Sequence, residues 1–164
     1  MSHWEASQGA SDEWYTPAYI FEALGVRFDL DAAAPEGGPL HVPASEWFWH
    51  DSLNEPWFGF VWLNPPFGGR GSLRPWLAKF FDHGHGIALT PDRTSADWFR
   101  EAWERADLAL FMPKVKFIRP DGSTGNQPSN GTCLWAAGST AIEALERAAS
   151  RGLGILAQPR RIAA

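Results

Sequence analysis

The chain has 164 residues, of which 45% are apolar and 20% charged, with a formal net charge of −5. That length is expected to hold one domain with a true core, and the sequence has no run near the roughly eighteen apolar residues that a membrane-spanning helix needs. A single cysteine, Cys133, excludes an intrachain disulfide, and five scattered histidines without Cys/His pairs at ligand spacing argue against structural zinc.

Residues 1–11 read as a flexible lead, with no basic cluster and apolar block to make a secretory signal. With the lone cysteine, this points to a reducing, cytoplasmic setting in a prokaryotic or phage-infected cell. Thr16 and Pro17 read as the cap and first turn of a helix whose apolar stripe, Ile20, Phe21 and Leu24, stops at Gly25. Val26 to Asp31 reads as a strand with Phe28 and Leu30 on one face and Asp29 and Asp31 on the other, an odd pattern for a strand covered on both sides. From Gly37 to Trp57 no period stands out, and the segment is taken as loop.

Phe58 to Leu63 is a compact apolar run of the buried-strand type. It must stop at Asn64, because the two prolines that follow cannot donate ladder hydrogen bonds. Beyond a glycine-rich loop, Ser72 is placed to cap a helix with Leu73, Trp76, Leu77, Phe80 and Phe81 on one face, ended by Gly84 or Gly86. Ile87 to Thr90, a helix over Ser95 to Arg105, and Leu108 to Met112 continue the alternation. Val115 to Ile118 suggests a short strand, Pro120 to Gly131 a loop, and Thr132 to Ala137 a strand that makes a late hairpin. Thr140 and Glu143 suggest a capping box for a helix with Ile142, Leu145 and Ala149 inward, and Leu153 to Ala157 a last strand before a tail at 158–164. The fold class is therefore α/β: a Rossmann-like, doubly wound, mostly parallel twisted sheet with helices on both faces and a late antiparallel hairpin.

Asn64-Pro65-Pro66-Phe67 directly follows a buried strand, which puts it at the carboxyl edge of the sheet, where open α/β sheets bind ligands. With proline at about 5% of residues, such a tetrapeptide arises by chance in roughly one chain in a hundred of this length, which favours a functional site over a rigid turn. The residue types suit an exocyclic amine, whose lone pair is delocalised into its ring. The Asn64 amide oxygen and the Pro65 carbonyl are both acceptors, able to hold the two amine hydrogens and favour a tetrahedral nitrogen. Phe67 offers a flat face on which a flipped base can stack.

Trp14-Tyr15-Thr16-Pro17, Phe28-Asp29-Leu30-Asp31-Ala32-Ala33, Asp51-Ser52-Leu53 and Leu63-Asn64-Pro65-Pro66-Phe67, in that order, resemble the phage-type DNA N-6-adenine methyltransferases of the Dam family. Leu89-Thr90-Pro91 through Trp98-Phe99 and the basic-aromatic Lys114 to Phe117 are similar to that family too. The resemblance implies a methyltransferase fold spanning 1–164 and S-adenosylmethionine as cofactor. It implies that Trp14, Thr16, Pro17, Asp31, Ala32 and Ala33 bind that cofactor, with Asp31 near its charged methionine end or ribose and Asp51 accepting from its adenine amine. The sequence departs from methyltransferases at large in having Asp31-Ala32-Ala33-Ala34-Pro35 where a Gly-x-Gly loop commonly follows the first strand.

The acidic total speaks against a nucleic-acid partner, but Arg70, Arg74, Lys79, Arg93, Lys114, Lys116 and Arg119 all follow the motif and can form a local basic face. Arg70, Arg74 and Arg93 suit phosphates beside a flipped nucleotide, and Lys114 and Lys116, alternating with Val115 and Phe117, suit a DNA-facing ribbon. Of the ten tryptophans, Trp62, Trp76, Trp98, Trp103 and Trp135 fall on core stripes, whereas Trp14, Trp47, Trp49 and Trp57 are the functional candidates. The expected function is methyl transfer to adenine N6 in DNA, without a metal or membrane. Cytosine N4 and a protein glutamine remain open as alternative amines, and a non-catalytic nucleic-acid-binding module of the same fold remains the alternative from another class.

Overall fold

A computed structural model describes residues 15–66, 73–125 and 131–162. Seven strands form one sheet: β1 Phe28–Asp31, β2 Ala44–Trp47, β3 Val61–Leu63, β4 Gly86–Pro91, β5 Leu108–Met112, β6 Thr132–Ala137 and β7 Ile155–Ala157. Their spatial order is β2-β1-β3-β4-β6-β5-β7. The β2-β1, β1-β3 and β3-β4 pairs are parallel, and β4-β6, β6-β5 and β5-β7 are antiparallel. The helices are α1 Ala18–Leu24, α2 Leu73–His83, α3 Asp97–Arg105 and α4 Ser139–Ser150. This is the expected Rossmann-like α/β architecture, parallel from β2 to β4, but three of its six strand pairs are antiparallel and the late antiparallel partner of β6 is β5 rather than Val115 to Ile118.

Two apolar clusters lie on opposite faces of the sheet. One packs Ile20, Phe21 and Leu24 of α1 and Leu145 of α4 against Phe28, Trp62 and Leu89. The other packs Leu77 and Phe80 of α2 and Phe99 of α3 against Leu30, Leu63 and Trp135. Trp62 and Trp135 are buried, while Trp76, Trp98 and Trp103 pack half-buried on the second cluster, as their spacing suggested.

The structure departs from the sequence reading in five places. Phe28 and Leu30 are both buried but belong to opposite clusters. The reason is a local irregularity in β1: the N–H groups of Asp29 and Leu30 both donate to the Phe60 carbonyl, at 2.8 and 3.4 Å, the two-against-one count of a bulge. Asp29 is explained by the same feature, because its carboxylate accepts from the Phe60 N–H at 2.7 Å.

The segment read as loop contains β2, an edge strand of four mostly exposed residues whose burial carries no period to detect. The Trp47 indole of β2 lies over Gly38, where an added Cβ would stand 3.1 Å from the ring and φ is +89°, so glycine is required there.

Among the described residues, Val115 to Ile118 contributes only two isolated bridges at Ile118, to Tyr15 and to Thr124, rather than a strand. The capping box at Thr140 is absent: α4 begins at Ser139 with Gly138 as its N-cap, and the Gly138 N–H is held by the Asp107 carboxylate at 2.8 Å. At α1 the N-cap is Pro17 rather than Thr16, with no side-chain cap bond, so the Thr16 hydroxyl is left for another partner.

Candidate active site

From β1 the chain runs to β2 on one side and later to β3 on the other, so the strand order reverses at the β1-β3 boundary. The carboxyl ends of these parallel neighbours form the crevice in which such sheets take ligands. Asp31 is in register with Trp62, and the Ala32 N–H donates to the Trp62 carbonyl at 2.9 Å. Paired residues of parallel strands share a face, and Asn64 lies two positions beyond Trp62, so Asp31 and Asn64 both stand on the α1 face of the edge.

Asn64 is half-buried, Pro65 buried and Pro66 exposed. The Asn64 amide nitrogen donates to the Thr16 hydroxyl oxygen at 3.3 Å. Thr16, 4% exposed, sits between Pro17 and Tyr15, whose backbone exchanges two hydrogen bonds with Ile118 at 2.8 and 2.9 Å. Ile118 in turn bridges Thr124 across the turn at Asp121 and Gly122. This ribbon, 117–125, ties the approach to α1 down beside the end of β3.

Asp31 is the notable carboxylate of the edge, only 3% exposed. Burial pushes its pKa up to about 7, and a hydrogen bond of 3.2 Å from the Ala33 N–H opposes the rise. Ala32 is buried and Ala33 half-buried. The Ala32–Ala34 turn is zipped to the exit of β2, with the Phe48 N–H on the Asp31 carbonyl and the Ala34 N–H on the Phe48 carbonyl, both at 2.9 Å. The place of a glycine loop is thus taken by small residues held against β2.

Asp51 lies apart, exposed and at φ +57° at the start of the 3-10 turn Ser52–Asn54. Its carboxylate accepts from the Asn54 amide at 2.6 Å. Lys79 of α2 fastens this turn by donating to the carbonyls of Ser52 and Leu53, both at 3.0 Å, and of Glu55, with its ammonium 5.1 Å from the Trp57 ring centre. Trp57 is buried and donates to the Ser52 carbonyl and hydroxyl at 3.0 and 2.9 Å. Both Lys79, read from the sequence as part of a basic face, and Trp57, read as a functional candidate, are engaged in holding the turn. Trp47 and Trp49 remain exposed, at 45% and 50%.

Lys114 and Lys116 are exposed on either side of buried Val115, the alternation the sequence suggested, and Arg93 is exposed. Arg74 is committed to α3, bonding Glu101 at 2.8 Å and approaching Asp97 at 3.9 Å, so any phosphate would compete with two carboxylates. Arg119 bonds the Ser123 hydroxyl and the Thr124 carbonyl, both at 3.4 Å. Trp14, Phe67, Arg70 and Ser72 lie outside the described residues.

The sequence reading missed two threonines on this edge. Thr90, at the end of β4, accepts from the Trp135 indole N–H at 2.8 Å and donates to the Pro91 carbonyl at 2.9 Å, fixing the turn out of the strand. Thr132, opposite Pro91 and Met112, is 4% exposed, and its hydroxyl has no partner among the described residues. A polar residue in an apolar run, Thr90 before Pro91 and Thr132 before Cys133, was the available signal.

Among the described residues no group of three or more His, Cys, Asp or Glu is placed to hold a metal ion, and no helix is long and apolar enough to cross a membrane. No curated protein and no solved structure matches the chain. The family model described as DNA N-6-adenine-methyltransferase (Dam) matches residues 4–137, a span that includes the ends of β1 and β3, Thr16 and the ribbon, and by that match the chain belongs to the Dam family of DNA adenine methyltransferases.

Proposed function

We propose that the chain transfers a methyl group from S-adenosylmethionine to the N6 amine of adenine in DNA. The observation that supports this reading is the placement of Asp31, in register with Trp62, and of Asn64, two residues beyond Trp62, at the carboxyl ends of β1 and β3: a buried carboxylate and a hydrogen-bonded amide on one face of one edge. Asp31 fits a cationic ligand: its carboxylate is desolvated, and burial raises its pKa, which an ammonium or sulfonium nearby would reverse. Ala32 and Ala33 leave room for close approach.

When bound, S-adenosylmethionine supplies an electrophilic methyl group on a sulfonium. The chain's own part is orientation and polarisation. Asn64 offers its amide oxygen and Pro65 its carbonyl to the two hydrogens of the target amine, drawing the nitrogen lone pair out of conjugation and into line with the methyl group. The proline rings hold that carbonyl in place. Phe67 would stack the base, Trp14, Thr16, Pro17 and Asp51 would flank the cofactor, and Arg70, Arg93, Lys114 and Lys116 would meet phosphates.

The test is incubation with unmethylated plasmid and S-adenosylmethionine, digestion to nucleosides and mass spectrometry, with Asn64→Ala alongside. N6-methyladenine from the wild type alone is expected. N4-methylcytosine would change the base and keep the mechanism. No methylated nucleoside, with cofactor binding shown by calorimetry, would overturn DNA as substrate, and no binding heat would leave a nucleic-acid-binding module.

A further inference from the structure

We infer that Lys79 is a positioning residue for cofactor binding: from α2 it fastens the Ser52–Asn54 turn and so holds the Asp51 carboxylate in place beside the cofactor. The inference rests on the proposed role of Asp51 and adds the residue through which the fold sets that carboxylate.

A three-residue 3-10 turn does little to hold its own shape, because its hydrogen-bond geometry is poor and its last carbonyls have no partner within it. The turn starts from Asp51, whose φ of +57° makes it the one non-glycine with positive φ among the described residues. Such a conformation is costly for a residue with a Cβ and persists where neighbouring bonds enforce it. The segment itself supplies few of them. The Asn54 N–H donates to the Asp51 carbonyl at 2.9 Å and the Glu55 N–H to the Ser52 carbonyl at 3.2 Å. The Asn54 amide ties one oxygen of the Asp51 carboxylate at 2.6 Å.

α2 supplies the rest. An ammonium has three hydrogens, and those of Lys79 meet three carbonyls, of Ser52, Leu53 and Glu55. Bonds from a charged donor are stronger than neutral ones, and with all three committed none is left for a DNA phosphate. Trp57, under the same ammonium, donates to the Ser52 carbonyl and hydroxyl, and Trp76 of α2 stacks on Trp57 with ring centres 6.3 Å apart. α2 therefore grips residues 52–57 through both Lys79 and Trp76, and Asp51 is the residue just outside that grip. On its other side, Trp49 and His50 alone separate Asp51 from Phe48, which is bonded to Asp31 and Ala34. Asp51 is thus held between the end of β1 and α2.

The carbonyls of Leu53 and Glu55 lie where water can replace the ammonium, so Lys79→Met should loosen the turn in a chain that still folds. In the full-length protein, calorimetry with S-adenosylmethionine should show affinity lowered by roughly 5- to 20-fold, and the loss should fall on cofactor KM rather than on kcat. Asp51→Gly accepts the positive φ and removes the carboxylate. In that background Lys79→Met should change Kd by less than about twofold, since the group it positions is gone. Losses that multiply would mean that Lys79 acts otherwise than through Asp51 and overturn the inference. An unchanged Kd in Lys79→Met, or a wild-type Kd in Asp51→Gly, would overturn it too. If Lys79→Met does not fold, Lys79→Arg takes its place in the cycle, because a planar fork cannot aim three bonds at converging carbonyls. Failure of both to fold would make Lys79 a residue of the fold alone.

Hydrogen exchange separates the inference from the reading on which it rests. The Asn54 and Glu55 amides should exchange faster in Lys79→Met than in wild type, with the amides of β1 and β3 unchanged. If the wild type binds no S-adenosylmethionine, the methyl-transfer reading fails, and the exchange difference still shows that Lys79 holds the turn. Equal exchange in the two proteins overturns the inference whatever the protein binds.

Discussion

The two edges of the sheet treat their polar groups in opposite ways. Along the amino edge the protein supplies partners for Asp29 through the Phe60 N–H, His83 through the Gly59 carbonyl, Asp107 through the Gly138 N–H, and the last carbonyls of α1 through Arg147 and Arg151. Along the carboxyl edge, Asp31 is buried with a long bond from Ala33, Asn64 has its nitrogen on Thr16, and the Thr132 hydroxyl has no partner. A buried polar group without full hydrogen bonding costs stability, and among the described residues the carboxyl edge holds such groups, as a ligand completing their bonding there would require. The amino edge holds the fold, and the carboxyl edge is where the proposed methyl transfer would take place.

The largest effect that can break this contrast is at Asn64. Asn64→Ala should reduce methyl transfer by about 10²- to 10³-fold while Tm and cofactor Kd stay near wild type, if, as proposed, the residue contributes an acceptor to the reaction rather than to packing. A variant that keeps its rate in a single-turnover assay removes Asn64 from the chemistry.

Asp31 comes next, and here stability and binding should move in opposite directions. Burial pushes its pKa up to about 7 in the folded chain, above the ordinary carboxylate value of 3.8, so the folded state binds that proton more tightly. The resulting stability is fully present below about pH 4, declines as the pH rises and is gone above about 7. Asp31→Asn should flatten that decline in thermal melts and raise Tm at pH 8, yet weaken S-adenosylmethionine by roughly 10- to 100-fold. In the wild type, cofactor affinity should fall as the pH drops below 7, because a cation needs the ionised carboxylate. Calorimetry in buffers of different ionisation enthalpy would report proton release on binding near pH 6, and its absence would show that Asp31 does not meet the cofactor's charge.

Asp29, two residues earlier on the same strand, sharpens the comparison. Asp29→Ala leaves the Phe60 N–H without its partner and should cost about 1–2 kcal/mol in denaturant unfolding. Turnover per folded molecule should be unchanged, as expected of the amino edge.

The alternation of helix and strand was legible because each apolar stripe carried the period of its element. β2 was not, because an exposed four-residue edge strand takes its structure from pairing with β1 rather than from its own pattern. The place of Asn64 could be read from two prolines ending an apolar run, and the odd carboxylates of β1 were visible as anomalies. What was hidden was their separation into two jobs, one structural and one facing the site, since that depends on a bulge created by Phe60, some thirty residues away in sequence. Arg74 and Lys79 were misleading for the same reason: a cation's partner lies on another element, and only the fold shows that α3 and the Ser52–Asn54 turn take them up.

The smallest expected effect belongs to Thr132. Its hydroxyl is buried and unpartnered, so Thr132→Val removes a desolvated polar atom and keeps the volume, and stability should be unchanged or higher by up to about 1 kcal/mol. A loss of stability would mean that the hydroxyl is satisfied, and the contrast between the edges would weaken at that point. Activity gives the finer division, because Thr132 lies opposite Met112 and Pro91 on the edge that carries Asn64. If Thr132→Val is stable but shows a raised KM for DNA at constant cofactor Kd, the unpartnered oxygen is one that the target nucleotide completes. If kinetics and stability are both unchanged, Thr132 is a tolerated flaw in packing, and the set-up of the carboxyl edge narrows to Asp31 and the Asn64–Thr16 pair.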